Sequence, residues 1–431
     1  RVLGKKKKLC KPFFNLHCIA MVCRCLIWIV VFGVFSLLDT GVFALTKSPD
    51  WGRLESFQGV LTKREFEHSL RQIYCPRESW YKDWIKFNKR AVLIRKKSGE
   101  DSWFKLSFSE GNQTLSVKTN LIAVDKNNSL NGIRIALDPG HIGGKYSEME
   151  GRHFLLDGSP PVKEGELSLL VAKRLKEKLS RLGADVVLLR DQNEPVTNLR
   201  PHDFEVEAED WVSQKESQFK IKYNTEEREK LLNKRKEVLF YRISEIHARA
   251  KLVNEVIKPN LVICLHLNAA AWSDPDKLEL VERNDFHVLV NGCFMGGELA
   301  DDNQRFDMIF RLVNRWDQSE QQIAESVSHA LAEKTNLPAF NYKGPNALKI
   351  GEVPGVWARN LLANRSYYCP VIFLEPYVAN SRDAYQRIKM GNYEGTRKFN
   401  GESRVSLVEE YADSVFEGIK NSFSGAKISS N

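Results

Sequence analysis

IRIALDPGHIGG, residues 133–144, opens as an apolar run and then breaks into a glycine-rich turn that carries a histidine. Ile133–Leu137 lacks polar alternation, which suits a parallel strand covered on both faces. Four further runs share this character: Asp185–Leu189, Leu261–Leu265, Phe286–Val290 and Val371–Leu374. Between the first two lies a segment in which Leu167, Leu170, Val171, Leu175, Leu179 and Leu182 recur at helical spacing, with Gly183 as the stop. Strand, helix and strand in that order make a βαβ unit. An α/β fold is therefore expected over residues 131–425, with a mostly parallel sheet flanked by helices.

In such sheets, sites gather beyond the carboxyl ends of the strands. His141 follows the first run, His266 closes LVICLH and Glu375 closes VIFLE. Glu164 opens the helix between them. A carboxylate after four apolar residues is costly to bury unless it is paired, metal-bound or functional. Two histidines and a carboxylate form a common ligand set for catalytic zinc, and one more carboxylate can move protons. Around His141, Asp138 is placed to fix the ring tautomer or to cap the turn. Cys264 shares the strand face of His266 but lies about 6–7 Å deeper, where core packing is expected. His153, His202, His247 and His287 have no comparable setting and are read as structural or exposed.

These stretches resemble the zinc-dependent N-acetylmuramoyl-L-alanine amidases that cut bacterial peptidoglycan. ALDPGHIGG is similar to that family's first histidine turn, and VKEGELSLLVAKRLKEKL to its glutamate-bearing helix. GADVVLLRD is similar to the next strand, ending in Arg190. ARAKLVNEVIKPNLVICLHLNAA and ARNLLANRSYYCPVIFLEPYVANS are similar to the segments of the second histidine and the last glutamate. The resemblance spans about residues 133–420. It implies one zinc ion held by His141, Glu164 and His266, with Glu375 as the catalytic proton carrier and peptidoglycan as the partner. It places Asn268 beside the second histidine, as a substrate-binding or supporting residue. Glu166 is the rival carboxylate to Glu164, and otherwise a supporting or exposed one. A wall peptidase, a deacetylase or a non-catalytic wall-binding protein are the alternatives.

The chain departs from the family pattern in three places. The turn reads His-Ile-Gly-Gly, the loop KYSEMEGRHFLLDGSPPV before Glu164 is long, and Glu375 is followed by Pro-Tyr. Two charged or helical insertions, about 198–246 and 294–317, interrupt the site motifs. Some members of the family cover their zinc with an inserted helix until a protein activator binds. The resemblance therefore implies that one of these segments is a lid, and a plain structural arm is the other reading.

The first 44 residues read as a targeting segment. Lys5 to Lys8 and Lys11 precede the apolar Leu26–Leu38, and small residues allow cleavage after Ala44. A membrane anchor over residues 18–38 is the alternative. Either points to export, to the periplasm or cell envelope. The chain carries a net charge of +9, but this segment holds seven Lys or Arg against one Asp, so about +3 remains elsewhere. No concentrated basic field is left for nucleic acid, and none is expected as a partner. Cys75, Cys264, Cys293 and Cys369 are widely spaced, as buried thiols or a single disulfide. Residues 45–130 read as a small α+β module, with a helix at Leu61 to Tyr74 and short strands at Ala91–Arg95, Trp103–Phe108 and Leu115–Val117. Its Trp80, Tyr81, Trp84 and Trp103 suit core packing or sugar stacking.

Overall fold

A computed structural model describes residues 48–110, 130–156, 158–274 and 277–424. The targeting segment, the run Leu115–Val117 and most of the stretch joining the module to Ile133 lie outside these residues. Among the described residues no helix is long and apolar enough to cross a membrane.

The N-terminal part opens with a 3-10 helix, Trp51–Phe57, and then a helix, Lys63–Ser69, that runs on through a π-helical turn, Leu70–Tyr74. Thr62 and Glu65 form a reciprocal capping box at its start, which satisfies two backbone N–H groups that a helix end leaves open. An antiparallel meander follows: β1 (Ile85–Phe87), β2 (Ala91–Arg95) and β3 (Trp103–Ser107). Alternation in WFKLS puts Phe104 and Leu106 inside and Lys105 outside. This small sheet has no core of its own. Phe66, Val92 and Leu106 belong to the same buried cluster as the main helices, and Ser48–Asn431 forms one compact unit. Tyr81 is buried, while Trp80 and Trp84 are half-buried against that cluster. Trp103 lies under Lys86 and Arg95, and Trp84 under Arg305. These aromatics thus serve packing.

The main sheet begins with β4 (Arg134–Pro139). A two-residue ladder of β5 (His153–Phe154) and β6 (Val162–Lys163) then leads into the helix Glu164–Arg181. The remaining strands are β7 (Asp185–Leu188), β8 (Leu261–Leu265), β9 (Phe286–Val290), β10 (Leu348–Lys349), β11 (Val356–Ala358) and β12 (Val371–Pro376). Their order in space is β10-β11-β9-β12-β8-β4-β7. β7, β4, β8 and β12 run parallel, as their unbroken apolar character predicts.

β9 departs from that expectation and pairs antiparallel with β12. The cause is the connection. The described residues of 266–285 contain no crossover helix, so the chain re-enters the sheet at the end where β8 left it and must run back. The helices Trp316–Thr335 and Leu407–Phe423 cover one face. The helical stretch 245–257 packs on the other, where Cys264, Phe373 and Tyr367 are buried.

The two insertions differ in kind. Glu205–Phe219 and Thr225–Val238 form a hairpin whose small core is Ala208, Val212 and Leu232. Arg228–Glu209 and Lys236–Glu205 pairs tie its two helices together, and it is a solvated arm. The 294–317 segment is not a lid. Its helix Asp302–Val313 buries Phe306, Met308, Ile309, Leu312 and Val313, and Trp51 packs edge-on against Phe306. Arg305, fully buried, donates to the carbonyl of Arg95 at 2.6 Å and so ties this helix to the small sheet. A segment with one face in the core cannot lift without exposing that face.

Candidate metal centre

β12, β8 and β4 are neighbours, and their carboxyl ends place Glu375, His266 and His141 side by side. The His266 N–H donates to the carbonyl of Leu374 at 3.0 Å, which locks one strand end to the other. Tyr411, from the last helix, donates its hydroxyl to the carbonyl of His266 at 3.1 Å.

The turn after β4 is held by its carbonyls. Arg249 donates to Pro139 at 2.7 Å and to His141 at 2.9 Å, while Arg190 donates to Pro139, Gly140 and Gly165. With these acceptors engaged, His141 sits at φ 56°, a left-handed conformation that a histidine rarely adopts. Two glycines make room for the assembly. A Cβ on Gly140 would come within 2.4 Å of the His266 ring, and one on Gly165 within 2.5 Å of the Gly143 nitrogen. Gly165 therefore lets the ligand helix start against the histidine turn.

That helix start delivers Glu164. Its Oε2 lies 3.2 Å from His141 Nε2, its Oε1 lies 3.0 Å from His266 Nδ1, and it accepts the Leu267 N–H at 3.2 Å. Ligand atoms of His141, Glu164 and His266 all fall within 4.8 Å of one another. Glu166 points elsewhere, half exposed and paired with Lys163 at 3.0 Å, which removes the rivalry between the two carboxylates. His266 also stacks on Phe373, with ring centroids 4.3 Å apart.

The expected tautomer-fixing role of Asp138 goes to another residue. The Asp138 carboxylate takes Arg249 at 2.7 Å and the Tyr367 hydroxyl at 2.5 Å, so it acts on the turn through Arg249 and leaves the ring alone. Glu150, from the long loop, is the group that faces His141. Its Oε1 lies 3.5 Å from His141 Nδ1, and it accepts the N–H groups of Ile142 and Gly143 at 3.0–3.2 Å. A carboxylate on Nδ1 leaves Nε2 as the free ligand atom. Asn268 spends its side-chain oxygen on the next backbone N–H and its main chain on Tyr377 and Ala379. His287 bonds Tyr342 at 3.0 Å and is kept neutral, pushed down to about 3 by burial and by Arg359. Nothing in sequence marked Glu150. It sits in an irregular loop with no hydrophobic period around it.

The electrostatics favour a cation between the three groups. Burial would raise Glu164, yet the imidazoles, His141 foremost, hold it well below the usual carboxylate range. Burial also works against charging His141, but Glu164 and Glu150 outweigh it and raise the ring to about 9. His266 is lowered by burial in spite of Glu164, and is a neutral donor at neutral pH. Two imidazole nitrogens and a carboxylate suit a divalent first-row metal ion, whose charge would replace the His141 proton. Glu375 lies outside this trio. Burial and the negative Glu164 push its carboxyl up to about 8, so it can change protonation near neutral pH.

No protein-family model matches the chain, and no curated protein matches its sequence. Solved structures do. An N-acetylmuramyl-L-alanine amidase from Mycobacterium smegmatis aligns at 14% identity and a TM-score of 0.37, covering 68% of this chain and 98% of that one. The CwlD amidase from Clostridioides difficile, solved in complex with the GerS lipoprotein, aligns at 12% identity and a TM-score of 0.38, covering 68% and 98%. An amidase from Nostoc punctiforme aligns at 16% identity and a TM-score of 0.34, covering 68% and 96%.

Proposed function

We propose that this chain is an exported zinc hydrolase that cuts the amide between N-acetylmuramic acid and L-alanine in peptidoglycan. The reading is carried by one observation: His141 and His266, at adjoining strand ends, converge with Glu164 from a helix start, and Glu375 lies beside them. The order of the motifs around them, as it resembles that amidase family, supplies the substrate.

Zinc held by His141, Glu164 and His266 would polarise a carbonyl and acidify a water. Glu375 takes a proton from the attacking water and passes it to the leaving alanine nitrogen. Glu150 keeps the His141 ring turned, and Arg190 and Arg249 keep its turn closed.

Metal content measured together with mass spectrometry of digested peptidoglycan tests the reading. Purified protein is expected to carry one zinc and to release intact stem peptides. Zinc without stem-peptide release, or peptides cut internally, points to a peptidase or deacetylase. Protein that takes up no zinc points to a binding role. Glu375→Gln should keep the zinc and lose turnover by roughly 10²–10⁴-fold.

A further inference from the structure

The long loop before Glu164 supplies a second group to the site, Arg152. Its backbone is fixed at both ends. The Arg152 N–H donates to the Ser147 carbonyl at 2.9 Å, and its own carbonyl accepts the Glu164 N–H at 3.2 Å. The β5–β6 ladder, with His153 opposite Lys163, closes immediately after it. The side chain therefore starts beside the first residue of the ligand helix. Its Nε lies 3.8 Å from Glu164 Oε2.

Arg152 is unlike the other arginines here. Arg190 and Arg249 are buried, and their donors are committed to carbonyls and to Asp138 and Glu245. The Arg152 side chain is 47% exposed against 10% for Glu164, and among the described residues its guanidinium donates no hydrogen bond. A guanidinium has five N–H donors in a rigid fork. The half-exposed side chain leaves these donors uncommitted beside Glu164, and the charge also reaches Glu375, where it opposes protonation.

We propose that Arg152 is a catalytic residue of the amide hydrolysis proposed above, and that it donates hydrogen bonds to the amide carbonyl oxygen as that oxygen becomes negative. When the water oxygen bonds to the carbonyl carbon, its proton goes to Glu375 and the C=O π pair moves onto the carbonyl oxygen. Negative charge thus leaves Glu375 and arrives at that oxygen, where a pre-placed cation lowers the barrier. On collapse the C=O bond re-forms, the C–N bond breaks, and Glu375 returns the proton to nitrogen. The alternative is that Arg152 only screens Glu164, which would appear in metal affinity instead of turnover.

Full-length zinc-loaded protein, Arg152→Ala and Arg152→Lys decide between them, with three readouts. These are kcat and KM on peptidoglycan fragments, zinc affinity against a chromogenic chelator, and rescue by added guanidinium chloride at non-denaturing concentration. The inference expects kcat to fall about 10²–10³-fold in Arg152→Ala, with zinc affinity within threefold, partial recovery with guanidinium, and an intermediate Arg152→Lys. Unchanged kcat overturns it. So does a kcat loss that tracks zinc loss, or one that guanidinium leaves untouched. A wild-type protein that releases no stem peptide sinks the amidase reading itself, which is a separate outcome from an unaffected Arg152→Ala.

Discussion

Glu150→Gln isolates the part of the candidate metal centre that the long loop builds. In the native carboxylate, Oε2 receives the N–H groups of Ile142 and Gly143, while Oε1 faces His141 Nδ1 and shares the Ile142 N–H at 3.0 Å. Glutamine can keep its carbonyl oxygen on the two backbone N–H groups, so the turn stays closed. Its NH₂ then faces Nδ1, which favours a proton on Nε2, the atom turned toward Glu164. The ring is left in the wrong tautomer for a metal ligand. Loss of such an outer partner typically costs 10–100-fold in metal affinity, which is about 1.4–2.8 kcal/mol at 1.4 kcal/mol per tenfold. Glu150→Ala adds a second cost, because the buried N–H groups lose their acceptor at roughly 1–3 kcal/mol each. The assay is zinc competition against a chromogenic chelator at neutral pH, with thermal melting of the metal-free forms alongside. Glutamine should lower zinc affinity with little change in melting, and alanine should lower both. Zinc affinity within twofold of wild type in Glu150→Gln would refute the argument that Glu150 orients the ring.

Three further outcomes follow from the same geometry. Because His141 stays protonated up to about 9 in the metal-free site, zinc binding at pH 7 should expel close to one proton. Affinity should then rise about tenfold per pH unit below that value, and calorimetry in two buffers of different ionisation enthalpy that finds no proton release would contradict it. Gly140→Ala puts a methyl 2.4 Å from the His266 ring, so His266 must turn from Glu164 and zinc affinity should fall at least about tenfold; undiminished affinity would show that the turn is not close-packed. Ile309→Ala should lower stability by about 2–5 kcal/mol, as expected for a fully buried side chain, whereas an unchanged melting temperature would return the 294–317 segment to the status of a loose cover.

The strands, the ligand helix and the residues at the strand ends were legible from sequence because each leaves a local pattern. Burial on both sheet faces removes polar alternation, as in LVICL and VIFL, so His266 and Glu375 stood out as polar groups where apolar ones were expected. Helical spacing from Leu167 to Leu182 announced Glu164–Arg181 in the same way.

What only the tertiary structure decided lies on irregular backbone or in long-range pairing. The reversed direction of β9 depends on a loop that lacks a helix, and apolar runs read alike in either direction. The choice of Glu164 over Glu166 rests on which way a helix start faces, and Gly165 shows its purpose only against Gly143. The 294–317 helix is amphipathic in a manner that suits either a lid or a core, until Trp51 and Arg95 are seen to cover it. Glu150 and Arg152 meet the ligands from a loop without periodicity, and no spacing rule links them to His141 and Glu164. Local burial writes itself into a sequence; contacts made by the ends of irregular segments depend on where the rest of the chain has gone.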